Sequence, residues 1–148
     1  MKIKSSRSIT VFLAVSMFMV GFLKFFDPFK GWYAEQISSS GFGELEYAMG
    51  IAGELAVGLA LLAVLFIQRG FSPMAIYWTK MAASALVVIM MAVGIFVHLH
   101  PDVPAAVLPL KIKPPYIPGF FLLLAVIHAR LITKELSSTQ GLATADHD

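Results

Sequence analysis

The chain has 148 residues, of which 58% are hydrophobic and 14% charged, with a formal net charge of +2 and no cysteine. Soluble domains carry about 25% charged residues, so this composition predicts an integral membrane protein, and two net positive charges are too few to indicate nucleic-acid binding. The lack of cysteine excludes disulfides, thiolate metal sites, iron–sulfur clusters and thiol redox chemistry by this chain.

Four apolar segments predict four transmembrane helices, since a bilayer core requires about 20 helical residues. The predicted spans cover residues 9–26, 48–67, 76–97 and 118–132. No small-residue cleavage site follows the first segment, so we interpret it as an uncleaved span rather than a secretory signal. The predicted fold class is all-α, a polytopic membrane four-helix bundle formed by residues 1–136. The polar residues 137–148 are predicted to be a disordered tail.

The basic residues predict the topology of these spans. Seven lie near the N-terminus, the second loop and the C-terminus, and four lie on the other side. By the positive-inside rule, this difference places both termini in the cytoplasm. The seven are Lys2, Lys4, Arg7, Arg69, Lys80, Arg130 and Lys134, and the four are Lys24, Lys30, Lys111 and Lys113.

The two outer loops differ in character. The loop 27–46 is rich in aromatic residues suited to a membrane interface, and we expect a short amphipathic helix in it. Six prolines lie in or beside the loop 98–117. That loop is therefore expected to be stiff and extended, and to act as a lid or a docking surface.

Glu54 is the most informative residue, because it lies inside an otherwise uncharged span. A carboxylate in that position is costly unless it is paired, protonated or hydrated. Lys24, at the outer end of the first span, is the one nearby cation expected within the apolar region. We therefore predict that Lys24 and Glu54 pair across the first two spans.

Small residues surround Glu54 on one helical face. Gly50, Glu54 and Gly58 recur at positions i, i+4 and i+8, which allows another helix to approach closely. Gly21 lies one turn from Lys24 and is a candidate contact for that face. His98 and Tyr116 are expected in the same outer half, at the mouth of a site whose floor is the ion pair. Two interpretations stay open, namely a small-molecule or proton-linked cavity and a pair that only fixes helix register.

Histidines give a weaker indication of metal binding. His98 and His100, with Asp102, are weak candidates for metal ligands, and no metal is expected. His128 is predicted near the cytoplasmic end of the fourth span, far from His98, so haem ligation by this pair is not expected. Phosphate-binding glycine loops, nucleophile elbows and zincin helices are absent from the sequence, so the chain is not expected to be catalytic by itself.

The segment GFLKFFDP, which contains Lys24, and the segment GELAVGLALL, which begins at Gly53 and contains Glu54 and Gly58, resemble the DoxX-like family of four-helix membrane proteins. The resemblance covers about the first 70 residues. It implies a left-handed four-helix bundle in the bacterial inner (cytoplasmic) membrane and an association with redox systems, such as thiosulfate:quinone oxidoreductase. The lack of cysteine argues against direct thiol chemistry.

These observations lead to the hypothesis of an accessory subunit of a membrane redox complex that contributes to a quinone or small-molecule pocket. A non-catalytic membrane scaffold and a small oligomeric transporter are the alternatives. The expected partners are the lipid bilayer, a membrane or redox-complex protein and further copies of the chain. The sequence identifies no cofactor, although a quinone is a candidate.

Overall fold

The computed structural model describes residues 2–67 and 70–145, with side chains described for 6–67 and 70–138. Within these residues the chain is all-α and contains no strand. Its five α-helices are α1 (Lys2–Leu23), α2 (Phe29–Ser39), α3 (Glu44–Phe66), α4 (Pro73–Leu99) and α5 (Tyr116–Ala145). Two short 3-10 helices, Ala105–Val107 and Pro109–Lys111, lie between α4 and α5.

Four of the helices are long and apolar enough to cross a membrane. The qualifying segments are Ser6–Leu23, Glu44–Phe66, Pro73–Leu99 and Tyr116–Ser138. The prediction of an all-α chain with four spans is therefore confirmed at the level of helix type, length and composition.

Polar caps explain why two helices begin earlier than the apolar segments predict. Glu46 Oε2 accepts a hydrogen bond of 2.8 Å from the Gly43 backbone N–H, which starts α3 at Glu44. Ser72 Oγ accepts one of 3.1 Å from the Ala75 N–H, which starts α4 at Pro73. Such caps satisfy backbone donors that the first helical turn leaves free.

Helix α5 extends well beyond the predicted span, which ended at residue 132. It continues to Ala145 and so includes residues 137–145, where the sequence predicted a disordered tail; residues 146–148 lie outside the described part of the chain. The difference arises because hydropathy marks the apolar part of a helix, whereas backbone hydrogen bonding continues through polar residues.

The four long helices pack as neighbours around one apolar core. Helix α1 packs on α3, α3 on α4, α4 on α5, and α5 on α1. All four contribute to the central cluster, whose buried members are Leu13, Ala14, Met17, Val57, Leu61, Ala83, Val87 and Ala125.

Helix α2 and the loop between α4 and α5 cover one end of these helices, which we call the α2 end. The side chains of Tyr33 and Ile37, one turn apart on α2, are buried against Ile51 of α3. In the loop, Val103 and Val107 are buried against the last turns of α4. The loop predicted to be extended therefore forms a folded cover with its own small apolar cluster.

Close approach of α1 and α3 depends on Gly58. A Cβ atom at this position would lie 2.6 Å from the backbone nitrogen of Phe18 and 2.7 Å from its Cα. Real Cβ atoms do not approach a neighbouring backbone so closely, so a side chain here requires the helices to separate.

Substituting Gly58→Ala is expected to destabilise the fold by about 1–3 kcal/mol, the usual cost of overpacking a close contact. The measurement is the midpoint of thermal unfolding in mild detergent. Gly119→Ala is the matched control, because a methyl group at Gly119 meets no described atom within 4 Å. Equal midpoints for the two variants would contradict the assigned contact.

Candidate ligand cavity

A cavity of about 880 Å³ lies at the α2 end. The halves of the four long helices nearest α2, together with α2 and the loop between α4 and α5, line it. Most of its wall is apolar, and representative lining residues are Met17, Val20, Met49, Leu86, Val97 and Phe121. A mostly apolar wall with a few polar groups is the usual composition of a small-molecule site.

Lys24 and Glu54, which the sequence predicted to pair, form an ion pair in the cavity wall. Lys24 Nζ lies 2.7 Å from Glu54 Oε1, and the two side chains are 13% and 9% exposed. Lys24 directly follows α1, whereas Glu54 lies near the middle of α3. Gly21 permits this approach, since a Cβ atom at Gly21 would lie 3.0 Å from the Glu54 Cβ.

The second carboxylate oxygen of Glu54 has no such partner. Oε2 is buried, and none of the side chains or backbone groups in the described residues donates a hydrogen bond to it. Glu54 also lines the cavity, but Oε2 itself has almost no accessible surface, so within the described residues the carboxylate bonds to Lys24 through Oε1 alone.

Tyr33 supports the ion pair from α2. The Lys24 ammonium lies 3.6 Å from the centroid of the Tyr33 ring, which is a cation–π contact. The Tyr33 hydroxyl lies against Gly50, where any side chain would collide with it. Burial raises the pKa of the Tyr33 phenol above its usual range, and the nearby Glu54 and Tyr47 raise it further.

The loop tightens the mouth of the cavity through polar contacts. His98 is buried and lines the cavity, and its Nδ1 lies 3.3 Å from the Lys113 carbonyl oxygen. Gln36 of α2 donates a hydrogen bond to the Val107 carbonyl oxygen. The first contact ties the loop to α4, and the second ties it to α2.

Tyr116, which the sequence placed at the mouth, is not among the residues that line the cavity. Its side chain is 66% exposed, and the following residues Ile117 and Pro118 line the cavity instead. Successive residues of a helix point about 100° apart, so a position at the start of α5 cannot by itself fix which side chain faces inward.

The weak metal candidates are not brought together. His98 contacts the loop backbone, while His100 Nδ1 lies 3.4 Å from the Asp102 backbone nitrogen, which donates to it. Across the described ranges, no group of three or more histidine, aspartate and glutamate side chains is arranged to hold a metal ion.

A second polar cluster, which sequence reasoning missed, lies further from α2, along the interior of three of the long helices. His128 is fully buried, with Nε2 2.8 Å from Thr10 Oγ1 and Nδ1 2.9 Å from Ser84 Oγ. The two hydroxyls also approach carbonyl oxygens of their own helices, Ser6 at 2.9 Å and Lys80 at 2.8 Å. The cluster thus joins α1, α4 and α5.

This cluster is a structural junction rather than a nucleophilic site. Ser84 is 1% exposed, and neither it nor His128 lines the cavity. A serine nucleophile requires a position next to it for the reacting atom, and this packing leaves none. The sequence signals were His128 and isolated hydroxyl residues inside apolar spans.

No protein-family model, curated protein or solved structure matches the chain. The cavity is therefore interpreted from its own geometry.

Substituting Thr10→Val is expected to cost about 1–3 kcal/mol of stability, because it leaves a buried imidazole nitrogen without a partner. Thr133→Val is the matched control, since the Thr133 hydroxyl is exposed and donates a hydrogen bond to the Ala129 carbonyl oxygen of its own helix. Thermal unfolding in mild detergent measures both. A Thr10→Val midpoint as high as that of Thr133→Val would show that the His128 contact contributes nothing.

The raised pKa of Tyr33 predicts a specific loss of stability at alkaline pH. An unfolded tyrosine releases its proton at about pH 10, whereas the folded chain retains it, so rising pH favours the unfolded state. The stability of the wild type should therefore fall more steeply above about pH 10 than that of Tyr33→Phe. Unfolding midpoints across this range test it, and parallel curves for the two proteins would contradict it.

Proposed function

We propose that this chain is a polytopic membrane four-helix bundle with both termini in the cytoplasm, and that it binds a lipid-soluble small molecule, such as a quinone. The ligand occupies the cavity at the α2 end, in the outer half of the bilayer. In this proposal the chain acts as an accessory subunit of a redox complex in the bacterial inner membrane.

The observation that carries the proposal is the placement of the Lys24–Glu54 pair in the wall of a large apolar cavity. Burying two charges costs free energy that their attraction offsets only with good geometry. A pair that served packing alone would not require an adjoining space of about 880 Å³. A pocket with apolar walls and a polar floor is suited to an amphipathic molecule that enters from the bilayer.

The redox part of the proposal rests on the resemblance to the DoxX-like family at Lys24, Glu54 and Gly58. The chain contains no cysteine, so a bound molecule or a partner protein must carry the electrons. The chain then contributes ligand binding and orientation rather than the electron-transfer chemistry itself.

A membrane scaffold is the second candidate, and a specific contact favours it. Gly58 brings α1 against α3 at the backbone of Phe18, and the ion pair joins the same two helices. In this alternative the pair only sets the register of α1 and α3.

Fluorescence of Trp32 tests the pocket directly. The chain has two tryptophans, of which Trp32 lines the cavity and Trp78 is 60% exposed. In a Trp78→Phe background, a decyl-chain benzoquinone should quench Trp32 in a saturable manner. With Trp32→Phe as the control, the same probe should quench Trp78 only in proportion to its concentration.

The double variant Lys24→Met with Glu54→Leu separates the two candidates. Removing both charges leaves no uncompensated charge, so the fold should be retained. Under the pocket proposal the quinone affinity falls about tenfold or more, as expected for loss of polar contacts to the ligand. Unchanged affinity would exclude the pair from the site, and the lack of saturable quenching in the Trp78→Phe protein would favour the scaffold.

A further inference from the structure

His98 leaves one ring nitrogen free in the wall of the cavity. Met90, Gly94 and His98 follow one another at intervals of four residues on α4, and all three line the cavity. His98 is only 4% exposed, and its Nδ1 lies 3.3 Å from the Lys113 carbonyl oxygen. Its Nε2 has no hydrogen-bond partner among the described residues, yet it is not one of the unpartnered atoms that lack accessible surface, as Glu54 Oε2 is. Nε2 is therefore the ring nitrogen that a ligand in the cavity can reach.

A backbone carbonyl fixes the protons of this ring. A carbonyl oxygen only accepts hydrogen bonds, so Nδ1 carries a hydrogen and donates it to Lys113. The side chain of Lys113 ties the same residue to the end of α4, because its Nζ donates a hydrogen bond of 2.5 Å to the His100 carbonyl oxygen. Nε2 is consequently a lone-pair acceptor in the neutral ring and a donor in the protonated ring. A single proton thus reverses the hydrogen-bonding polarity of the free nitrogen.

A quinone carbonyl distinguishes between these two states of Nε2. Its oxygen has lone pairs and no hydrogen, so it can bond to the protonated ring and not to the neutral one, whereas a hydroxyl can meet either state. We infer that His98 binds a carbonyl head group in the cavity as an imidazolium, so that one proton is taken up with the ligand. This inference rests on the proposed function, and it adds the residue that binds the head group and a proton linkage.

The other titratable groups around the cavity do not provide a hydrogen-bond acceptor for a protonated His98. They are Lys24 after α1, Tyr33 on α2, Glu46 and Glu54 on α3, and Lys111 in the loop, with Lys113 beside the ring. The α5 residues in the wall, Ile117, Pro118 and Phe121, carry no titratable group, and α4 contributes none to the wall besides His98. No carboxylate of the described residues bonds to the His98 ring. A carbonyl ligand therefore supplies the acceptor that the imidazolium lacks.

Quenching of Trp32 at different pH values tests the inference in the Trp78→Phe protein. The probes are the decyl-chain benzoquinone and (8-bromooctyl)benzene, which has a ring and an alkyl chain but no head group, and whose bromine quenches fluorescence. Histidine ordinarily titrates between about pH 8 and about pH 5. Across this range the benzoquinone should bind about fivefold or more tightly at the acid end, because it gains a hydrogen bond to a charged group. The affinity of (8-bromooctyl)benzene should not change.

His98→Gln is the decisive variant, because an amide does not titrate in this range. Its affinity for the benzoquinone should be independent of pH. His100→Gln is the matched control, since His100 is not among the residues that line the cavity, and it should keep the pH dependence of the parent protein. Calorimetry of the wild type in buffers of different ionisation enthalpy adds a measurement without a substitution, and it should show uptake of protons when the benzoquinone binds.

The outcomes separate this inference from the proposed function. Saturable benzoquinone binding with the same affinity at every pH, and without proton uptake, would overturn the inference and leave the pocket intact. A pH dependence that persists in His98→Gln would also overturn it, because another group would then bind the proton. Failure of both probes to quench Trp32 saturably at any pH would overturn the pocket itself.

Discussion

The buried ion pair between Lys24 and Glu54 is the constraint on which the α2 end depends. Each charge is held away from water, so removing one partner would leave the other uncompensated at a cost of about 3–5 kcal/mol. The pair therefore fixes the end of α1 against the middle of α3. Helix α2 folds back across this junction and brings Tyr33 over the ammonium, and Gly50 leaves the space for the Tyr33 hydroxyl.

The sequence was sufficient to predict the parts of the fold that depend on the free energy of transferring side chains from water into the bilayer. Four apolar runs indicated four helices, and the cost of an isolated carboxylate indicated that Glu54 needs a cation, for which Lys24 was the nearest candidate. Helix ends were harder to predict, because the capping hydrogen bonds depend on polar residues outside the apolar runs. The bond from the Gly43 N–H to the Glu46 carboxylate is an example. The length of α5 was underestimated for the same reason.

Contacts between distant segments were the least predictable part of the site. Part of the cavity wall forms where α2 and the loop after α4 meet through Gln36 and Val107, which are far apart in sequence. Likewise, Tyr116 and Ile117 are adjacent, and only the orientation of α5 determines which of them faces inward. Periodicity describes one helix at a time and does not contain this rotational information.

The junction at His128 has one more property that follows from counting hydrogens. A neutral imidazole, Ser84 and Thr10 together carry three polar hydrogens, whereas their four short contacts require four. One contact of the neutral junction therefore lacks a hydrogen. It lies on the Ser84 side when Nε2 carries the ring proton, and on the Thr10 side when Nδ1 carries it. Both ring tautomers are compatible with these contacts, so either arrangement of protons can hold the three helices together.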